Sequence, residues 1–360
     1  MRIAVVNTAR NYGGQEAMAA FLSERLSERG HEVRFLCRSV YPALDRVRAA
    51  VPVFEVLGGV DWNPVSILRA RRVLRDERID VVLATTNKDM RTAALAAWSL
   101  RIPVVVRRAM ARPLRSSAHY RFLYGRLPAH VVTNSRATHR IMLESAPWMD
   151  PDRTSVVYNG IDPAPFRRGK RADLPVPDGA VVVGFVGRFV DWKGVLTLAE
   201  AWRSAAPRMP AAHLVLAGEG EMEGAMRETL GDAERVHWIG FRDDVPEVMQ
   251  ALDILAFPSV MEGFGLAAVE AMAAGVPVVA ARAAALPEVV LDGEQGRVVP
   301  PKDASALADA IEELVGDPEL RARFGTGGRT RVDEIFHEDR MVSAYEAILA
   351  EAAATSGRPG

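Results

Sequence analysis

Val181-Val182-Val183-Gly184-Phe185-Val186-Gly187-Arg188, with Lys193-Gly194 five residues on, is the stretch whose reading decides the fold. A β-branched apolar run that stops at a glycine and a cation reads as a strand ending in a glycine-bearing turn. The same unit recurs downstream: His213–Ala217 precedes Gly218-Glu219-Gly220, Val236–Ile239 precedes Gly240-Phe241, and Ile254–Phe257 precedes the segment from Ser259 to Gly265. Val278–Ala280 supplies a fifth strand. Longer amphipathic stretches separate these runs, which is the pattern of parallel strands joined by crossover helices. Working outward, the first half repeats it with Arg2–Val6, Val33–Cys37, Val81–Leu83, Val104–Val106 and Val131–Thr133.

Pro163 to Gly179, rich in proline, glycine and charge and without periodicity, reads as a linker. The expected organisation is a first domain over 1–162, a linker over 163–179, a second domain over 180–335, and a helical segment over 336–360 that packs back toward the first domain before a flexible tail. A chain of 360 residues, 49% hydrophobic and 25% charged, suits a soluble globular protein too long for one core. Ala271–Ala281 falls far short of the roughly 20 apolar residues that cross a bilayer. Ile3–Val6 is too short for a signal-peptide core, so a cytoplasmic protein is expected. Cys37 has no partner for a disulfide and reads as a small buried hydrophobe.

The net charge of −1 hides a division. Residues 1–180 hold 29 Lys and Arg against 17 Asp and Glu, and residues 181–360 hold 16 against 29. No acid occurs between Met90 and Leu143, where ten arginines do. Such a face attracts phosphates or acidic lipid headgroups.

In an open parallel sheet, ligands bind beyond the carboxyl ends of the strands, where loops and helix N-termini meet. Four separate segments bring glycines and charges to that rim in the second half, as a phosphate-bearing ligand requires. The most informative is Glu262-Gly263-Phe264-Gly265-Leu266-Ala267-Ala268-Val269-Glu270. Gly265 is the expected entry to a helix running through Ala274, with Gly275 and Pro277 ending it. The glycines let backbone amides approach a ligand, and the two carboxylates can accept hydroxyls. Glu270 sits among Ala267, Ala268, Val269, Ala271 and Met272, and a carboxylate in so apolar a helix needs a partner.

These residues carry a resemblance to glycosyltransferase family 4, the large group of retaining GT-B glycosyltransferases. It rests on Glu262 and Glu270, the run Gly187 to Gly194, Ala217-Gly218-Glu219-Gly220, Asn159-Gly160-Ile161-Asp162, and Pro287-Glu288-Val289 through Asp292-Gly293 with Pro300 and Asp303. Gly13-Gly14-Gln15-Glu16 and Asn134-Ser135 fit in the first half. The resemblance implies an α/β GT-B fold: two tandem Rossmann-like, doubly wound parallel-sheet domains with an interdomain cleft and a C-terminal helical segment. It also implies a retaining hexosyltransferase that takes a nucleotide-diphosphate sugar and needs neither metal nor other cofactor. Arg188, Lys193 and Glu262 would be catalytic. The donor would be bound by Gly13, Gly14, Gly187, Gly218, Gly240, Phe241, Gly263, Phe264, Gly265, Leu266 and Glu270.

Many members carry a histidine after the strand equivalent to Val104–Val106, where this chain has Arg107-Arg108. That pair, with Arg112, is the expected site for an anionic acceptor: a glycan or a lipid-linked molecule of cell-envelope or glycoconjugate synthesis. An anionic membrane surface at the inner face is a further expected partner, and nucleic acid is not one. The rival readings are a GT-B-shaped nucleotide-sugar epimerase and an NAD-dependent oxidoreductase, and neither first strand is followed by the spacing G-x-G-x-x-G that the latter uses. Asp150-Pro151-Asp152 matches a metal-binding D-x-D in letters only.

Overall fold

A computed structural model describes residues 1–9, 14–39, 44–58, 62–86 and 88–355, apart from the side chains of Gln15 and Arg46. The chain forms two compact units, one from Met1–Asn159 with Asp339–Gly360, the other from Gly160–Glu338.

In the first unit the described residues build a seven-stranded sheet from β1 (Arg2–Asn7), β2 (Glu32–Cys37), β3 (Val53–Phe54), β4 (Val81–Ala84), β5 (Val104–Arg108), β6 (His130–Thr133) and β7 (Thr154–Val156). Its order is β3-β2-β1-β4-β5-β6-β7, and every pairing is parallel. Ile3–Val6 and Val81–Ala84 are buried without interruption because helices cover both faces of such a sheet. Cys37 lies in that core, where burial pushes its thiol up to about 12 and leaves it unreactive. The helix Glu338–Thr355 belongs to this unit: Arg29 donates to the Asp339 carboxylate at 2.8 Å, and His31 contacts Glu346 at 2.8 Å.

In the second unit β8 (Val181–Val186), β9 (Ala212–Ala217), β10 (Val236–Gly240), β11 (Ile254–Phe257), β12 (Val278–Ala281) and β13 (Gly296–Val299) pair in the order β10-β9-β8-β11-β12-β13, all parallel. Its core packs Phe185, Phe189, Trp202 and Phe324, each fully buried. The segment 163–179 lies on this unit. Phe166 is buried, Arg167 pairs with Asp333 at 2.9 Å, and the Ala172 amide donates to the Glu247 carbonyl at 2.9 Å. Ile161 bridges His337, so the outgoing and returning strands of chain run side by side. Among the described residues no helix is long and apolar enough to cross a membrane.

Candidate active site

The strand order of the second unit reverses direction beside β8: β9 and β10 extend to one side, β11 and its successors to the other. The carboxyl edge at such a switch point, between the loops that leave β8 and β11, is where open sheets hold ligands. Gly187 to Gly194 follows β8, and Pro258 to Gly265 follows β11.

Backbone hydrogen bonds fix these loops to one another. The Gly187 amide donates to the Ala217 carbonyl at 2.9 Å, Phe189 to Glu219 at 2.9 Å, and Gly218 to Gly240 at 2.8 Å. The turns after β8, β9 and β10 are thus one connected rim. Gly218 is required there, because it adopts φ +142° and a Cβ on it would stand 1.9 Å from the Gly187 oxygen. Across the crevice, the Val260 amide donates to the Trp192 carbonyl at 2.9 Å. Gly194 permits this approach: with φ +68°, its absent Cβ would lie 2.2 Å from the Pro258 oxygen.

The charged groups converge on Lys193. Its ammonium pairs with the Glu262 carboxylate, both side chains being mostly buried, and stands 5.0 Å from the centre of the Phe257 ring. Glu270 approaches from the helix Leu266–Ala274. It keeps a partly accessible edge, yet its carboxyl is desolvated enough that burial pushes the pKa up to about 7, against the opposing pull of Lys193. Glu270 has no hydrogen-bond or ion-pair partner among the described residues. Of the two acids eight positions apart, Lys193 thus pairs with one and acts electrostatically on the other.

Arg188 is exposed, 5.8 Å from the Trp192 ring centre, and its guanidinium forms no ion pair or hydrogen bond with the described residues. The helix Leu266–Ala274 begins at Gly265 without a side-chain cap and ends at Gly275 in the left-handed region at φ +84°. The amides of Leu266 and Ala267 have no acceptor among the described residues, so the positive end of the helix is open to an anion or a hydroxyl. Phe264 is buried edge-on against Phe336 at 5.5 Å. Phe241 is 67% exposed at the end of β10. The Ser259 hydroxyl, in the loop after β11, is buried and has no hydrogen-bond partner among the described residues; no pattern in the sequence singles it out.

The first-unit residues are placed differently. Gly13 lies outside the described residues, and Gly14 opens the helix Gly14–Glu28. Arg107 and Arg108 are both buried in β5. Arg107 donates to Asn159 Oδ1 at 2.9 Å, and Arg108 donates to the carbonyl of Arg112, whose side chain is exposed. Asp150 accepts from the Asp152 amide at 3.1 Å, so this acidic pair caps a turn. Among the described residues no three His, Cys, Asp or Glu side chains converge as a metal site would require.

Two parallel doubly wound sheets, with cations and carboxylates at the switch point of the second, define a protein of GT-B architecture. The family model "Glycosyl transferases group 1" matches residues 166–331 and "Glycosyltransferase Family 4" matches residues 12–165. The chain belongs to glycosyltransferase family 4. It is 39% identical over 194 residues to the D-inositol 3-phosphate glycosyltransferase of Corynebacterium efficiens, an alignment covering 49% of this chain and 46% of the relative. The chain thus spans about half the length of the inositol-phosphate relatives it matches. It is 29% identical over 421 residues to the MMP alpha-(1->4)-mannosyltransferase of Mycolicibacterium hassiacum, covering 98% and 100%. Anabaena Alr3699/HepE, solved in complex with UDP and glucose, shares the fold with a TM-score of 0.83 at 23% identity, covering 97% of this chain and 99% of that one.

Proposed function

We propose that this chain is a metal-independent, retaining glycosyltransferase that moves a sugar from a nucleotide-diphosphate donor to an anionic acceptor, on the cytoplasmic side of the membrane. The observation that carries the reading is Lys193 paired with Glu262 and acting electrostatically on Glu270, in the same β8 loop that carries Arg188. Arg188 and Lys193 take the donor diphosphate. As the sugar–phosphate bond breaks, negative charge accumulates on the departing diphosphate, and fixed cations stabilise it in the transition state. Glu270 accepts ribose hydroxyls; Glu262 and the amides of Phe264 to Leu266 hold the transferred sugar. Gly187, Gly218 and Gly240 bring backbone close to the phosphates, and the open ring of Phe241 stacks on the base.

The UDP and glucose bound by the Anabaena neighbour make uridine-diphosphate sugars the first donors to test. The phosphorylated acceptor named for the Corynebacterium relative supports an anionic acceptor, with exposed Arg112 and the buried Arg107 and Arg108 on the acceptor side. A thermal-shift screen of UDP-, GDP- and ADP-sugars tests the donor, because a ligand that binds only the native state raises its melting temperature. Failure of every nucleotide sugar to do so, or equal stabilisation of Lys193→Ala, defeats the proposal. Donor consumption that requires an acceptor, with the product anomer read by NMR, separates transfer from epimerisation and retention from inversion.

A further inference from the structure

Lys193 meets a counter-ion of its own at the place where a diphosphate would bind. The two side chains are only 18% and 14% exposed, and among the described residues Glu262 is the one carboxylate with which the ammonium pairs. An anion arriving there finds the cation already neutralised and a carboxylate of its own sign beside it. Such repulsion is strong where water screens little. Arg188, in the same loop, has no carboxylate partner among the described residues. The two cations of that loop are thus not equivalent toward an incoming phosphate.

Side chains alone can change this pairing. The backbones of the two loops are pinned to each other, because the Val260 amide donates to the Trp192 carbonyl at 2.9 Å. Glu262 stands two positions after Val260 and is followed by Gly263. The Lys193 ammonium, 5.0 Å from the centre of the Phe257 ring, ends a flexible four-carbon stem. What can draw Glu262 away is a competing set of donors, and sugar hydroxyls donate well to a carboxylate. A nucleotide sugar brings those hydroxyls together with its diphosphate. A bare nucleoside diphosphate brings only the diphosphate and a ribose, and the ribose falls to Glu270.

We infer that Glu262, through Lys193, makes the site discriminate between donor and product, an inference that rests on the nucleotide-sugar reading above. With the sugar present, Glu262 accepts sugar hydroxyls and leaves the ammonium to the diphosphate. Once the sugar has been transferred, the carboxylate loses those donors and returns to Lys193. The product diphosphate is then held by Arg188 and the helix amides against a neighbouring negative charge, and it departs. Glu262 is thereby a repulsive element of the kind that separates two closely related ligands.

Calorimetric titration of UDP, GDP and ADP, and of UDP-glucose, GDP-mannose and ADP-glucose, into wild type and Glu262→Gln tests this. The wild type should bind a nucleotide sugar more tightly than the bare diphosphate of the same base. Glu262→Gln keeps the size of the side chain and removes its charge. It should bind the bare diphosphate about tenfold more tightly than wild type does, the order of one charge-assisted contact, and should lose the preference for the sugar conjugate. Glu262→Asp, which shortens the reach to Lys193, should move in the same direction by a smaller factor, and it carries the test if the glutamine variant does not fold. Diphosphate affinity that falls or stays unchanged in the variants overturns the inference, because a pair that only braces the loops would weaken every ligand when broken. Equal wild-type affinity for diphosphate and sugar conjugate overturns it too. Binding of no nucleotide by any of the proteins defeats the donor reading itself and this inference with it, so the two failures are told apart.

Discussion

The two sheets share a topology and differ in what stands at their switch points. In the first unit the reversal falls between β1 and β4. There the Asp89 carboxylate accepts the amides of Thr8 at 3.0 Å, Thr85 at 3.0 Å and Thr86 at 2.6 Å, while Asn7 donates to Thr85 Oγ1 at 2.9 Å. Asp89 is fully buried, and desolvation raises its pKa to about 6 against those hydrogen bonds. The described amides at this switch point are thus already occupied by the protein's own anion. In the second unit the equivalent place offers amides with no acceptor and an arginine with no charged partner among the described residues, and a lysine paired with Glu262 that also acts on Glu270. Equal topology makes two crevices; side chains decide which can receive a foreign anion.

Removing each centrepiece sharpens that contrast. Lys193→Ala should lower donor turnover about 10³-fold, as loss of a preorganised transition-state charge does, measured with whichever nucleotide sugar the screen selects. A loss below tenfold would show that the cation serves folding alone. Asp89→Ala should act on stability instead, costing about 3 kcal/mol in urea unfolding because three amides lose their acceptor in a buried site. An unchanged midpoint would mean that water replaces the carboxylate and that the first crevice is no more closed than the second.

Glu270 yields a pH test. Its folded pKa of about 7 lies above the ordinary 4.5, so the fold favours the protonated acid, and that contribution is lost as pH rises from about 4.5 through about 7. Glu270→Gln cannot ionise. Its stability relative to wild type should therefore increase between pH 5 and pH 8, by up to about 3 kcal/mol. Donor affinity of the wild type should strengthen over the upper part of the same range as the carboxylate forms, and that of the variant should stay flat. Parallel stability curves would place Glu270 in contact with water.

Which parts of this were legible in sequence follows from burial. Of the ten strands that announce themselves as apolar runs, nine are central, with both faces covered; the tenth, β10, is an edge strand read from its own β-branched and aromatic run. The three that the sequence reading lacks, β3, β7 and β13, all lie at sheet edges. Val53–Phe54 is two residues long, Thr154–Val156 is half-exposed, and Gly296–Val299 begins with glycine and arginine. These three edge strands escape the pattern because solvent on one side relaxes it and their runs are short or interrupted. Gly265 and Gly275 mark their helix because its ends need a backbone that side chains disfavour. The pairing of Lys193 with Glu262 joins residues 69 positions apart in sequence, and spacing cannot express it. Nor can spacing reveal that Arg107 and Arg108 are buried, since arginine is ordinarily a surface residue.

The smallest expected effect separates charge from geometry at the open rim. Arg188 is exposed and has no ion-pair partner among the described residues, so Arg188→Lys keeps the cation, leaves the fold untouched, and removes only the planar fork that binds two phosphate oxygens at once. The variant should lose about tenfold in kcat/KM for the donor, the difference between a bidentate and a single charge-assisted contact, while Arg188→Ala should lose more. If lysine restores full activity, the second crevice recognises diphosphate as charge alone, and the distinction from the first rests on Lys193 and the helix amides. If lysine is as damaging as alanine, the guanidinium's geometry is what an anion meets first, and the stacking on Trp192 that orients it becomes part of the site.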